Sequence, residues 1–162
     1  MSESIENIEE SERVFPGLMG AMLFALLGGL LWVVLFWADI FPCICGVACV
    51  VGAVTGYRLF SKSGSLKGVL LSVGISVVVM LLALYFCLAI DVYRTLNEWY
   101  ANGEYDHAVS FINSIAYSHQ YLASPIVLKY LLKDFGWGML FCAIGAFTFI
   151  ADGIKQYRLQ KE

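Results

Sequence analysis

Polar and charged residues withdraw from four stretches of the chain: Pro16 to Ala38, Ile40 to Phe60, Leu66 to Ile90 and Phe135 to Ala151. Within those limits the only Lys, Arg, Asp or Glu residues are Arg58 and Lys67, each at the edge of its stretch. A membrane-spanning helix takes roughly 20 mostly apolar residues. The pattern therefore predicts an all-α membrane protein with four transmembrane helices. Asp39 would end the first span and Pro42 open the second, where a missing N–H costs nothing. The first two spans then form a tight hairpin, and Ser61-Lys62-Ser63-Gly64-Ser65 links the second to the third.

Small residues recur at every fourth position inside these stretches. The first carries Gly17, Ala21, Ala25 and Gly29. The second carries Ala48, Gly52 and Gly56. The third carries Gly64, Gly68, Ser72 and Ser76, and the fourth a weaker row of Gly138, Cys142 and Ala146. Residues four apart share a helix face, and small residues let backbones approach where lipid supplies no hydrophobic drive. These rows are the expected helix-packing positions, either within one chain or as seams between copies.

Residues 92–134 are too long for a plain connection. Asp106 is placed to cap a short helix with an apolar stripe of Ala108, Phe111, Ile112 and Ile115. Pro125 to Leu132 reads as a second, with Ile126, Val127, Tyr130 and Leu131 near one face. Trp99, Tyr100, Tyr105, Tyr117 and Tyr121 add rings of the kind that gather at interfaces. The expectation is one or two amphipathic helices lying across the outer mouth of the bundle, with Leu96 to Ala101 as a further prolongation of the third span.

Composition agrees with the pattern. The chain is 60% hydrophobic with a mean hydropathy of +0.76, and 14% of it is charged, against about 25% in soluble domains. That leaves three regions: an acidic arm over 1–15, a bundle over 16–152 with its cap at 92–134, and a basic tail over 153–162. The arm holds Glu3, Glu6, Glu9, Glu10 and Glu12 against Arg13, the opposite of a cleavable signal's basic start. Arg13, Arg58, Lys62, Lys67, Lys155, Arg158 and Lys161 fall on one side. Arg94, Lys129 and Lys133 fall on the other. Seven against three predicts that both termini are cytoplasmic. No basic stripe suited to nucleic acid is present.

Candidate chemistry is sparse. Asp39, Asp91 and Asp152 lie at span ends; Asp39 with Asp91 could form an outer acidic vestibule that attracts a cation. Asp91 and Arg94, like Asp152 and Lys155, have the i, i+3 spacing of local pairs. Cys43, Cys45, Cys49, Cys87 and Cys142 lack the spacing of a disulfide scaffold or zinc site. His107 and His119 lack a ligand-like partner, and no H-E-x-x-H, G-x-S-x-G or phosphate-cradling loop occurs. No catalytic, cofactor-binding or metal-ligating residues are assigned, and no cofactor is expected.

Gly56-Tyr57-Arg58-Leu59-Phe60, Ser124-Pro125-Ile126-Val127 and the run from Gly138 to Phe147 resemble segments of small, uncharacterised bacterial four-span membrane proteins. The resemblance spans most of residues 17–152. It implies the fold and a bacterial cytoplasmic membrane, and no activity for any residue. The functional expectation is a non-enzymatic accessory or scaffold membrane subunit that meets a partner through its cap or acidic arm. The alternative is a small transporter or channel built as a homo-oligomer.

Overall fold

The computed structural model of the protein describes residues 13–38, 40, 44–62 and 64–159, without the side chains of 152, 153 and 155–159. Most of the acidic arm, Asp39, Pro42 and Cys43 lie outside the described residues, as do the side chains of Asp152, Lys155 and Arg158. The described chain is all-helical: α1 (Val14–Trp37), α2 (Cys45–Ser61), α3 (Leu66–Ala101), α4 (Phe111–Tyr121) and α5 (Pro125–Leu159). Three of these, α1, α3 and α5, are long and apolar enough to cross a membrane. The stretch expected as the second span is a 17-residue apolar helix, about 26 Å at 1.5 Å per residue.

α2 and α3 lie between α1 and α5, and α1 packs most extensively on α2. The reason is the placement of glycine. A Cβ on Gly28 would lie 2.8 Å from the backbone Cα and N of Cys49, and one on Gly52 would lie 2.9 Å from the carbonyl oxygen of Phe24. Gly20 and Gly56 face each other in the same way, each against the other's carbonyl oxygen. The α1–α2 crossing is thus backbone on backbone, which any side chain would prevent.

The row from Gly17 to Gly29 turns towards α3 as well as α2. Tyr57 of α2 is 1% exposed, and its ring is held between two glycines. A Cβ on Gly17 of α1 would lie 2.8 Å from one ring edge, and one on Gly68 of α3 would press closer still on the other. Ala21, Ala25, Ala53 and Val79 continue this packing. A larger cluster around Trp32, Cys49, Met80 and Cys142 joins α1, α2, α3 and α5. There Gly138 lets the Trp32 ring lie against the backbone of α5, with Trp32 Cζ3 2.8 Å from where a Cβ would be.

α3 begins at Ser65, whose hydroxyl accepts from the Gly68 amide at 3.0 Å. No Gly or Pro interrupts residues 75–101, so the helix runs unbroken for 36 residues, about 54 Å. It stops where Gly103 adopts φ +77°. The amides of Gly103 and Glu104 then donate to the Tyr100 and Trp99 carbonyls at 3.1 and 2.8 Å, the paired bonds of a left-handed helix stop. α5 is nearly as long, 35 residues. Both exceed the roughly 30 Å of a hydrocarbon core by some 20 Å, whereas α1 has 24 residues. The bundle therefore has a step. At the end where α1 stops and α2 starts, α3 and α5 continue with α4 beside them.

The segment between α3 and α5 departs from expectation in three ways. α4 starts at Ser110, whose hydroxyl accepts from the Asn113 amide at 3.3 Å; Asp106 lies upstream and does not cap it. Its buried residues are Ser114 and Ser118, while Ile112 is 78% exposed. Ile112 thus points away from the bundle, Ile115 is half-buried, and Phe111 reaches α3 at its edge. Each serine returns its hydroxyl to the carbonyl four residues earlier, at 3.0 and 2.7 Å, so a satisfied, small face meets α3. Finally, Pro125 to Leu132 is the start of α5, because nothing between Pro125 and Phe135 breaks a helix.

Candidate functional site: a cleft at the step of the bundle

Above the end of α1, a cleft of about 250 Å³ opens between α1, α3 and α5. Trp32 and Phe36 of α1 contribute one wall. α3 presents Leu84, Leu88, Asp91 and Thr95, spaced 4, 3 and 4 apart along one face, with Cys87 and Val92 beside them. α5 presents Val127, Tyr130, Leu131 and Asp134, again on one face, and Tyr121 closes the cleft from the tip of α4. Two carboxylates, one from each long helix, therefore look into a mostly apolar and aromatic space. Among the described residues no Lys, Arg or His lines it.

The surrounding helices are fixed by polar contacts. Arg94 donates to the carbonyl of Trp37, placing a cation at the carbonyl end of α1, where the helix dipole favours it. Asn97 donates to the Val109 carbonyl at 3.0 Å and accepts from the Val109 amide at 3.1 Å. Tyr85 donates to the Ile115 carbonyl at 2.9 Å, and the rings of Tyr93 and Phe111 meet edge to face with centroids 6.0 Å apart. These contacts pin α4 along the flank of α3, and Tyr121 comes with it.

Asp91, one of the two residues expected to form an acidic vestibule, lines this cleft. Asp39 lies outside the described residues. The second carboxylate that the fold brings to Asp91 is Asp134, which the sequence reading passed over. Asp134 falls one residue before the apolar stretch at Phe135 and next to Lys133, so apolar length alone did not mark it. Reading 125–151 as one helix would have placed Val127, Leu131, Asp134 and Gly138 on a single face.

The small-residue positions sit as follows. Gly17, Ala21, Ala25 and Gly29 of α1 are all buried. On α2, Gly56 is buried, Gly52 and Ala48 are half-buried, and the deeply buried small residues are Cys45, Cys49 and Ala53. Gly68, Ser72 and Ser76 of α3 are buried, whereas Gly64 is exposed and precedes the helix, so it does not belong to that row. Ser76 donates to the Ser72 carbonyl at 2.8 Å and to the Cys49 carbonyl of α2 at 3.3 Å. Gly20, Gly28 and Gly46, outside the expected rows, make equally close approaches. By contrast, Gly74 and Gly136 have open space where a Cβ would be.

Cys45, Cys49, Cys87 and Cys142 are buried and are not joined by disulfides. His107 and His119 are exposed. Among the described residues no three His, Cys, Asp or Glu converge as metal ligands. Near the other end of the bundle, Arg58 of α2 lies over the Phe149 ring of α5, 5.2 Å from its centroid, a cation–π contact that accommodates a charge beside an apolar helix.

Comparison of the chain with protein-family models, with curated proteins and with solved structures finds no match in any of the three.

Proposed function

We propose that this is a four-span protein of a bacterial cytoplasmic membrane, with both termini cytoplasmic, that works as a non-enzymatic accessory or scaffold subunit. In this reading α2 crosses with α1 as a hairpin, its 17 residues giving about 26 Å against the roughly 30 Å of a hydrocarbon core. The outer part comprises the upper half of α3, α4 and the first turns of α5, and it contacts a partner.

The observation that carries the reading is the surface of that part. Ile112 is 78% exposed, Ile126 69% and Tyr130 65%, and Trp99, Tyr100 and Leu132 are exposed beside them. Apolar side chains that project past the hydrocarbon core mark a protein or interface contact. The glycine rows favour a partner of a different kind over a closed ring of copies, because most of them are already filled within the chain. The buried serines likewise bond to carbonyls within the bundle. They offer no polar stripe of the kind a pore requires.

The test is site-directed photo-crosslinking in the native membrane, with p-benzoylphenylalanine placed at Ile112, at Ile126 and, as a lipid-facing control, at Leu27. A discrete heteromeric adduct at Ile112 or Ile126, absent at Leu27, is the expected result. An adduct at twice the protein's own mass would instead favour the homo-oligomeric transporter or channel. Lipid adducts alone at all three positions would overturn the scaffold reading.

A further inference from the structure

We infer that a second pocket, at the far end of α3, receives an arginine side chain of the partner subunit. The inference rests on the scaffold reading and names the chemistry by which that partner is recognised.

The pocket encloses about 360 Å³ between the last turns of α3, the connection that follows and α4. Its walls are mainly four aromatic rings. Trp99 stands three residues beyond Leu96 on α3, and Tyr117 and Tyr121 stand four apart on α4, so each pair shares a helix face. Tyr105 comes from the connection. Gly103 turns the chain there at φ +77°. The Glu104 amide then donates to the Trp99 carbonyl at 2.8 Å, which returns Tyr105 towards Trp99. The two hydrogen bonds between Asn97 and Val109 tie the start of α4 to α3. The rings are thus in place before a ligand arrives, which lowers the ordering cost of binding.

Among the described residues no charged side chain lines this pocket, but the chain around it is acidic. Glu98 precedes Trp99, and Glu104 and Asp106 flank Tyr105; all three are exposed. No Lys or Arg occurs between Thr95 and Leu128, and Arg94, just before that stretch, is held on the Trp37 carbonyl. Carboxylates of one sign draw a cation towards the surface, and aromatic faces then hold it through their quadrupoles.

Arginine answers both features. Its planar guanidinium stacks on aromatic rings and is more weakly hydrated than an ammonium. Its five N–H donors meet the phenol oxygens of Tyr105, Tyr117 and Tyr121 and the Gln120 carboxamide. A cavity of about 150 Å³ holds a benzene molecule, so there is room here for the guanidinium and its stem. An acidic side chain would be repelled by the same three carboxylates.

The test uses full-length protein in dodecyl maltoside, with its four tryptophans replaced by 5-fluorotryptophan and the Trp99 fluorine resonance assigned by its loss in Trp99→Phe. Nα-acetylarginine N-methylamide is the probe, and the citrulline analogue is the uncharged control of the same shape. The expected result is a saturable shift of the Trp99 resonance with the arginine probe and none with citrulline. Tyr117→Leu and Tyr105→Leu should each weaken binding about fivefold, while Tyr117→Phe, which keeps the ring, should stay within about twofold of wild type. No saturable shift, an equal response to citrulline, or binding unchanged in both leucine variants would overturn the inference. A heteromeric adduct at Ile112 or Ile126 without probe binding would overturn it and leave the scaffold reading standing. Probe binding without such an adduct would refute the scaffold reading and leave the pocket a guanidinium site.

Discussion

The backbone contact of α1 on α2 at Gly28 can be tested at one atom. In Gly28→Ala the new methyl would sit 2.8 Å from both Cα and N of Cys49. Non-bonded carbons rest at about 3.5–4.0 Å, so the helices must part by roughly 0.7–1.2 Å. Backbone atoms block the methyl, and no rotamer change relieves the clash. Overpacking of this kind costs about 1–3 kcal/mol. The shift also strains the Ser76 bond to the Cys49 carbonyl, already 3.3 Å long and of a kind worth about 0.6 kcal/mol between membrane helices. Against this, alanine gains about 0.8–1 kcal/mol over glycine in a helix. The net expectation is a loss of about 2 kcal/mol. Gly74→Ala supplies the control, because its methyl meets nothing within 4 Å and only the helical gain remains. Both variants would be unfolded reversibly in mixed dodecyl maltoside and SDS micelles and followed by far-UV circular dichroism. A Gly28→Ala protein as stable as wild type would refute the backbone-contact reading, as would equal losses at Gly28 and Gly74.

Two further predictions use the same interior. Ser76→Ala removes a hydroxyl that reaches α2, and Ser72→Ala one that returns to its own helix at Gly68; the first should cost about 0.6 kcal/mol and the second less, and the reverse order in the same unfolding assay would exclude the interhelical role. In a Cys43→Ser background the four remaining thiols are at most 2% exposed, so N-ethylmaleimide should add to none in the native protein and to all four after SDS denaturation. A native protein that mass spectrometry shows labelled as fast as the denatured one would contradict their burial.

Much of the architecture was legible in the chain. Apolar length located α1, α3 and α5, because a helix in lipid must satisfy its own backbone and so needs a long uncharged run. Period-four small residues pointed to faces such as Ala21 and Ala25 of α1 and Gly68 and Ser72 of α3, which are buried; on α2 the row of Ala48 and Gly52 is half-buried and Ala53 beside it lies deeper. The prolongation of α3 through Leu96 to Ala101 is present as expected, since nothing between Asp91 and Ala101 breaks a helix. Local pattern failed at α5, which begins before its apolar limit. Lys129, Lys133 and Asp134 look like a break by composition, yet no residue there stops a helix, and Pro125 to Leu132 runs on into the apolar stretch. On α4 the buried contacts are the small satisfied serines Ser114 and Ser118 while Ile112 is exposed, a choice that hydrophobic periodicity alone does not register.

The sequence by itself determined that the chain is helical, apolar and closely packed, since those properties follow from residue types and their spacing along one strand of chain. Only the tertiary structure decided which glycine meets which backbone, that Tyr57 is held between Gly17 and Gly68, and that Asp91 and Asp134 share a cleft. The two aspartates are 43 positions apart, and nothing local couples them. They converge because α3 and α5 both overrun the short α1–α2 hairpin. That overrun is a difference between helix lengths, and it acquires meaning only once the helices stand side by side.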